Sequence, residues 1–222
     1  MKRIKRIFII IVFFACSSAV FGQGKMRFNV HVDPQFAWVK SSDSDKISPN
    51  GSIFQMQAGL QMDYYFQENY AFVLGFGINN LGGKLLYEDS ASYSNGNQDV
   101  NIEPGQEVKM NLQYLDIPVG LKLKTEELGY GTFFLQLGFN PMFNINAHLT
   151  SEDGVFDKED IKASINTFSL AYHVGVGFEY RLGGNTALIW GVRWTSGLSD
   201  VSKNDGTNLS LRALSIHLGI LF

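Results

Sequence analysis

Between residues 167 and 182 the chain alternates without a break. Phe168, Leu170, Tyr172, Val174, Val176, Phe178, Tyr180 and Leu182 stand against Thr167, Ser169, Ala171, His173, Gly175, Gly177, Glu179 and Arg181. A period of two held for so long describes a β-strand whose two faces meet different surroundings. The pattern recurs. Phe133, Leu135, Leu137, Phe139, Pro141, Phe143, Ile145 and Ala147 oppose Gln136, Gly138, Asn140, Asn144 and Asn146. Phe54, Met56, Leu60, Met62, Tyr64 and Phe66 oppose Gln55, Gln57, Gly59, Gln61 and Asp63. Further repeats lie at 28–38, 70–78, 188–198 and 213–222.

A soluble sandwich also alternates, but its strands average about 5–6 residues and its outer face carries many charges. Here the runs are longer, the apolar face is the bulkier one, and glycine and amides take the place of Lys and Glu opposite it. An apolar outside facing lipid and a small, polar inside is the pattern of a transmembrane barrel. Beyond residue 22 no apolar run approaches the ~20 residues a spanning helix needs.

The connections agree. Short ones (67–69, 125–130, 183–185) alternate with long ones rich in Ser, Asp, Asn, Glu and Gly (40–50, 88–106, 149–162, 199–208). Short periplasmic turns and long outer loops are the layout of outer-membrane barrels. The expected fold is all-β: an eight-stranded antiparallel up-and-down barrel with strands near 26–39, 51–66, 70–86, 107–124, 131–148, 163–182, 186–198 and 209–222. Ten strands is the alternative count. Closure matters because lipid offers an open sheet edge no hydrogen-bond partner.

At the N-terminus, Lys2, Arg3, Lys5 and Arg6 precede the apolar run Ile7–Ala15 and then small residues up to Gly22. This is the order of a secretory signal peptide, with cleavage expected after Gly22 and a barrel domain over 23–222. The one cysteine, Cys16, falls within the leader, so the processed chain is expected to lack a thiol nucleophile, a disulfide and a thiolate metal site. Processing also removes four of the 18 Lys and Arg, which leaves 14 against 21 acids and a net charge of −7. That balance argues against a nucleic-acid partner.

Residues 114–122 read Tyr114-Leu115-Asp116-Ile117-Pro118-Val119-Gly120-Leu121-Lys122. With Gly175–Tyr180, the strand end Trp194–Leu198 and the terminal Leu218–Phe222, this segment resembles the PorT-like family of outer-membrane β-barrels. The motif residues are Tyr114, Leu115, Asp116, Ile117, Pro118 and Lys122. The resemblance implies an eight-stranded barrel of OmpA- and OmpX-like architecture, inserted by the barrel-assembly machinery. Most members have no assigned activity, and one supports a protein-secretion machine. His217 departs from the family's usual last strand, where a glycine is common.

The inner face collects Asp33, Asp63, Asp116, Lys122, Glu179, Arg181 and Arg193, with His31, His173 and His217. An eight-stranded lumen is just wide enough to be filled by side chains, and charges inside it must pair or be hydrated. An ion-pair network is therefore expected rather than a reactive site. No catalytic residue, cofactor or metal site is assigned. The histidines carry no ligand spacing, the acidic loop 152–160 lacks the spacing of a calcium loop, and His148 beside Thr150, Ser151 and Glu152 is a weak rim signal. Pro118 removes a ladder donor and is expected at a bulge or bend. The loop 88–106, with Tyr93, Asn95, Gly96, Asn97 and Gln98, suits contact with a partner or a surface sugar, and a plain mobile loop is expected ahead of either. The expected partners are the outer-membrane bilayer and a protein reached through the outer loops. The expected role is a structural or interaction barrel, ahead of a small passive pore and, last, a membrane enzyme.

Overall fold

The computed structural model describes residues 26–41, 47–94, 99–203 and 208–222. The leader expected at 1–22 lies outside the described residues. Eight long strands form the wall: β1 (Met26–Ser41), β2 (Ile53–Gln67), β3 (Tyr70–Tyr87), β4 in two pieces (Glu107–Asp116 and Val119–Lys124), β5 (Gly131–Ser151), β6 (Phe168–Gly183), β7 (Thr186–Gly197) and β8 (Leu209–Leu221). Each pairs antiparallel with its neighbours in sequence. The ring closes where β1 meets β8, with Val32 opposite Leu218 and Ala37 opposite Ala213. No edge of the wall is left to face lipid, as the hydrogen-bonding rule requires. The sixth strand starts at Phe168 rather than near 163, because residues Lys162–Ser164 form a 3-10 turn.

The two faces follow the period, and they change character along each strand. In β1 the outward residues Phe28, Val30, Val32 and Phe36 are exposed, whereas Asn29, His31, Asp33 and Gln35 point in and are buried. Beyond Phe36 the sides exchange chemistry. Ala37 and Val39 are buried inside, and Lys40 is exposed outside. In β4, Val108, Met110, Leu112 and Tyr114 are buried inside with Glu107, Lys109, Asn111 and Gln113 outside; past that level Leu115, Val119 and Leu121 face out and Asp116 and Lys122 face in. The barrel is therefore two cylinders in series. The lower one is apolar outside and polar inside. The upper one is polar outside, with an apolar core.

The lower cylinder matches a membrane. From Phe28 to Phe36, from Leu115 to Leu123 and from Leu214 to Phe222 the lipid-facing stretch is the same length. Eight steps at about 3.4 Å and a tilt of about 40° give a band about 21 Å tall, close to the ~25 Å apolar band of such barrels. Its surface is mostly large apolar side chains, among them Phe72, Phe76, Phe139, Trp190 and Ile216.

The upper cylinder is filled by Ile53, Leu81, Leu85, Val108, Met110, Leu112, Leu149, Leu209 and Leu211. Short segments fold over it: Ile47–Gly51 pairs with the top of β3, a small hairpin joins Ala91–Ser94 to Asp99–Ile102, and Ile161, Ile165 and Val201 are buried beneath them. Tyr93 belongs to this cap. Its hydroxyl lies 2.7 Å from that of Tyr87, and the side chain is buried, so Tyr93 is not free to contact a partner or a sugar; Asn95, Gly96, Asn97 and Gln98 lie outside the described residues.

One register change corrects the reading of β5. Gln113 pairs with Asn146 but Tyr114 pairs with Asn144, so Ile145 is an extra residue in a bulge. A one-residue insertion swaps the faces beyond it. Asn146 and His148 consequently turn outward and Ala147 becomes fully buried, the reverse of strict alternation.

Candidate functional site

The lower lumen is lined by polar side chains from every wall strand, and its residues fall into three groups. Nearest the periplasmic mouth is a fully buried Lys122. Its Nζ lies 2.7 Å from Asp63 Oδ2 and 2.5 Å from Glu179 Oε1, and it sits 4.7 Å above the Phe134 ring. Glu179 Oε2 also receives Lys124 at 2.7 Å and Arg27 at 3.5 Å. Three cations thus share two carboxylates. Geometry this close and multiply bonded is what a buried ion pair needs to offset its desolvation.

The second group surrounds Asp33. Arg193 Nη1 reaches Oδ2 at 3.2 Å, while the Nδ1 atoms of His217 and His31 approach Oδ1 at 2.9 and 3.1 Å. Asn29 Nδ2 stands 3.2 Å from His217 Nε2. The third group holds Asp116. Gln57 donates to it at 2.8 Å, Asn140 to both oxygens at 2.9 Å, and Asn79 at 3.5 Å. The first and third groups are joined through amides and His173. His173 Nδ1 meets Asn140 Oδ1 at 2.5 Å and its Nε2 meets Gln136 at 3.3 Å, Gln136 reaches Gln61 at 3.3 Å, and Gln61 donates to Asp63 at 2.8 Å.

Of the seven charged residues expected in the lumen, Asp63, Lys122 and Glu179 come together, as do Asp33 and Arg193. Two differ from expectation. Arg181 lies at the mouth, more than half exposed, and pairs with Glu127 at 2.8 Å; it is on the inward parity of β6 but beyond the level where the lumen is enclosed. Asp116 forms no ion pair among the described residues. Its bonding capacity is met by a cage of amides, which stabilises a buried carboxylate through donors rather than an opposite charge. Lys124 and Arg27 were missed as network members. Lys124 shares the inward parity of Lys122, and Arg27 that of Asn29, so the alternation itself could have placed them.

The Tyr114–Lys122 motif sits on the seam between the two cylinders. Tyr114 ends the apolar core and Asp116 begins the polar lumen two residues later, while Leu115 and Ile117 start the lipid belt outside. Pro118 breaks β4 into its two pieces, as a missing donor should. Its ring occupies the space opposite Gly75, where an added Cβ would stand 2.6 Å from Pro118 Cγ, and its carbonyl accepts from Gly75 N at 2.7 Å.

At the outer end, His148 lies on the outer wall and not in a rim cluster. The acids of loop 152–160 are dispersed: Glu152 pairs with Lys84, Asp160 accepts from Lys162 N, and Glu159 pairs in the sheet with Leu149. Among the described residues, the three metal-ligating side chains that do converge are His31, Asp33 and His217.

A closed antiparallel ring with an unbroken apolar belt and a polar interior defines an integral outer-membrane β-barrel. The family model "Outer membrane protein beta-barrel domain" matches residues 21–203 of the 222, and the chain belongs to that family. It resides in the outer membrane. No curated protein sequence matches it. Among solved structures it is similar to Neisserial surface protein A (14% identity, 87% of this chain and 95% of that one, TM-score 0.49). It is also similar to OprG of Pseudomonas aeruginosa (14%, 89% and 94%, 0.47) and Ail of Yersinia pestis (13%, 89% and 99%, 0.43). The fold assignment rests on the family match and the strand ring rather than on these likenesses.

Proposed function

We propose that this barrel is a closed structural and interaction protein: a rigid anchor that holds a folded extracellular cap for a partner, as an accessory of a secretion or envelope complex. The observation that carries the reading is the upper cylinder. Leu81, Leu85, Val108, Met110, Leu112 and Leu149 fill its bore, and the capping segments bury Tyr93, Ile161 and Val201 above them. A packed apolar core offers ions and polar solutes no hydrated path. Beneath it, the polar side chains of the lower lumen bond to one another. The design favours rigidity over transport.

The motif Tyr114–Lys122 supports a finer placement within the PorT-like barrels, one of whose members serves a secretion machine. A small passive pore is the second reading, since the lower lumen is polar and its mouth is rimmed by Arg27, Lys124 and Arg181. The apolar core above weighs against it. An enzyme has the least support: Asp160 stands opposite His148 in the sheet at the outer rim, but among the described residues no hydrogen bond joins an acid and a histidine there.

Two measurements test the proposal. In planar bilayers the purified barrel is expected to give negligible conductance, and steady large currents would overturn it. In cross-linked outer membranes the barrel is expected to capture the same secretion or envelope subunits in independent preparations. That capture should disappear when the 91–102 hairpin is replaced by a short glycine-serine turn. Capture unaffected by the replacement would remove the cap from the interaction.

A further inference from the structure

The geometry points to a divalent transition-metal site in the lumen, formed when barrel closure brings His31 and Asp33 of β1 against His217 of β8. The three donor atoms, two imidazole Nδ1 and one carboxylate oxygen, lie within 4.8 Å of one another. Both nitrogens face Asp33 Oδ1, at 3.1 and 2.9 Å, and His217 Nδ1 also lies 3.0 Å from Oδ2. Ligands held about 2.0–2.2 Å from one tetrahedral ion stand about 3.3–3.6 Å apart, so rotations that open the N···O separations slightly and draw the two nitrogens together would set all three around a common centre. The side chains are nearly inaccessible, at 3%, 0% and 3% exposure.

The surroundings suit a ligand set. Arg193 engages the other carboxylate oxygen, Oδ2, which fixes the carboxylate and leaves Oδ1 to the ion, an arrangement common around metal-ligating carboxylates. Asn29 supplies an independent indication. Its Nδ2 faces His217 Nε2, yet its own Oδ1 is buried with no hydrogen-bond partner. Turning the amide over, an assignment that depends on the network around it, lets Oδ1 accept from Nε2–H. His217 Nδ1 then presents a lone pair to the centre. Facing a bare carboxylate such a lone pair is repelled; facing a cation it is a ligand.

Charge points the same way. Gln57, which pairs with Asp33 across β1 and β2, donates to Asp116, so two carboxylates share this level with one guanidinium, Arg193. Glycines make the room: a Cβ at Gly59 would stand 3.1 Å from His31 Nε2 and one at Gly219 2.4 Å from Asn29 Oδ1. Two imidazoles with one carboxylate select zinc-class ions over calcium or magnesium. The apolar core closes the outer route, so the ion would enter during folding or from the periplasmic mouth.

The test refolds the processed chain, without a polyhistidine tag, from urea into detergent micelles with excess Zn²⁺ or Co²⁺. Bound metal is measured by mass spectrometry after gel filtration, and Co²⁺ ligation by visible d–d absorption. About one ion per chain is expected, with the folded state confirmed by heat-modifiable gel migration. His148→Gln and His173→Gln should retain it. His31→Gln/His217→Gln should lose it, and Asn29→Ala should bind roughly 10–100-fold more weakly. A folded wild-type barrel without metal and without Co²⁺ d–d bands overturns the site. So does undiminished metal in the folded double variant, which would show adventitious binding elsewhere. Should that variant fail to fold, the wild-type Co²⁺ spectrum decides: bands support the site and their absence overturns it.

Discussion

Lys122→Met provides the sharpest test of the lumen. The lysine is fully buried between Asp63 and Glu179, and methionine replaces most of its volume while removing the charge. The two carboxylates are not left equal. Glu179 keeps Lys124 at 2.7 Å and Arg27 at 3.5 Å, whereas the hydrogen bond left to Asp63 among the described residues is that from the Gln61 amide. The loss therefore comes from one stranded carboxylate. Breaking a buried pair in this way costs about 3–5 kcal/mol. The expected destabilisation is thus about 3–5 kcal/mol, a shift of more than two orders of magnitude in the unfolding equilibrium. Urea unfolding in detergent or liposomes, followed by tryptophan fluorescence, measures it. Asp63→Asn/Lys122→Met, which removes both charges, should return to within about 1–2 kcal/mol of wild type. A Lys122→Met cost under about 1 kcal/mol, the range of exposed pairs, would mean that water reaches the group and the lumen is not sealed at this level. A double variant no better than the single would refute the charge argument altogether.

Three further outcomes follow from the two-cylinder arrangement. Ile216→Arg, in the middle of the lipid belt, should cost about 2–4 kcal/mol in folding free energy in a bilayer, while Asn111→Arg on the outer wall of the upper cylinder should change it by under about 0.5 kcal/mol; equal penalties would mean the belt is drawn at the wrong height. Leu85→Ala, which opens a cavity in the upper core, should lose about 2–5 kcal/mol without opening a conducting path, as read by urea titration and single-channel recording on one preparation. Burial raises the Tyr93 phenol above its usual value of 10.0. A raised folded value means the contribution is intact below pH 10 and is lost as pH climbs through that raised value, so the cap should loosen only in strong alkali. Tyrosinate absorbance should show Tyr93→Phe to lack a late-ionising phenol that the wild type has, and a Tyr93 that ionises with the exposed tyrosines would place it outside the cap.

The barrel itself was legible because its signal is local and repeated. Each strand writes its two faces into alternate residues, and the nine residues from Phe28 to Phe36 carry the lipid belt as plainly as those from Leu214 to Phe222. The upper cylinder was hidden by the same rule. Alternation continues past the seam with the chemistry exchanged, so Ala37, Val39 and Lys40 read as more of one strand when they mark its exit from the membrane. At Ile145 the failure was one of register: a bulge is one residue long, and nothing in Asn144-Ile145-Asn146-Ala147 announces which strand carries the extra residue. The lumen was half readable. Parity placed Asp63, Lys122 and Glu179 inside, but their meeting depends on the shear between strands, as does the isolation of Asp116 among amides. The approach of His31 to His217 needs the closure of the first strand on the last, a contact that spacing along the chain cannot express.

The seam also explains why the motif occupies the fourth strand and not a loop. Asp116 must be inside and solvated by amides, so it belongs below the apolar core. Leu115 and Ile117 must face hydrocarbon, so they belong at the top of the belt. Alternation satisfies both demands only if the change of chemistry falls on both faces within about one residue of the same level. Tyr114 and Asp116 achieve this inside, and Gln113 and Leu115 outside. Pro118 then interrupts pairing just below, and its ring enters the space that Gly75 leaves empty. A strand shifted by one residue here would bury Gln113 and Leu115 and expose Asp116 to lipid, an error costing several kcal/mol for the carboxylate alone. Register is therefore pinned at the membrane boundary, where the apolar core above and the charged lumen below both depend on it. The motif is best understood as the device that locks the two cylinders in step.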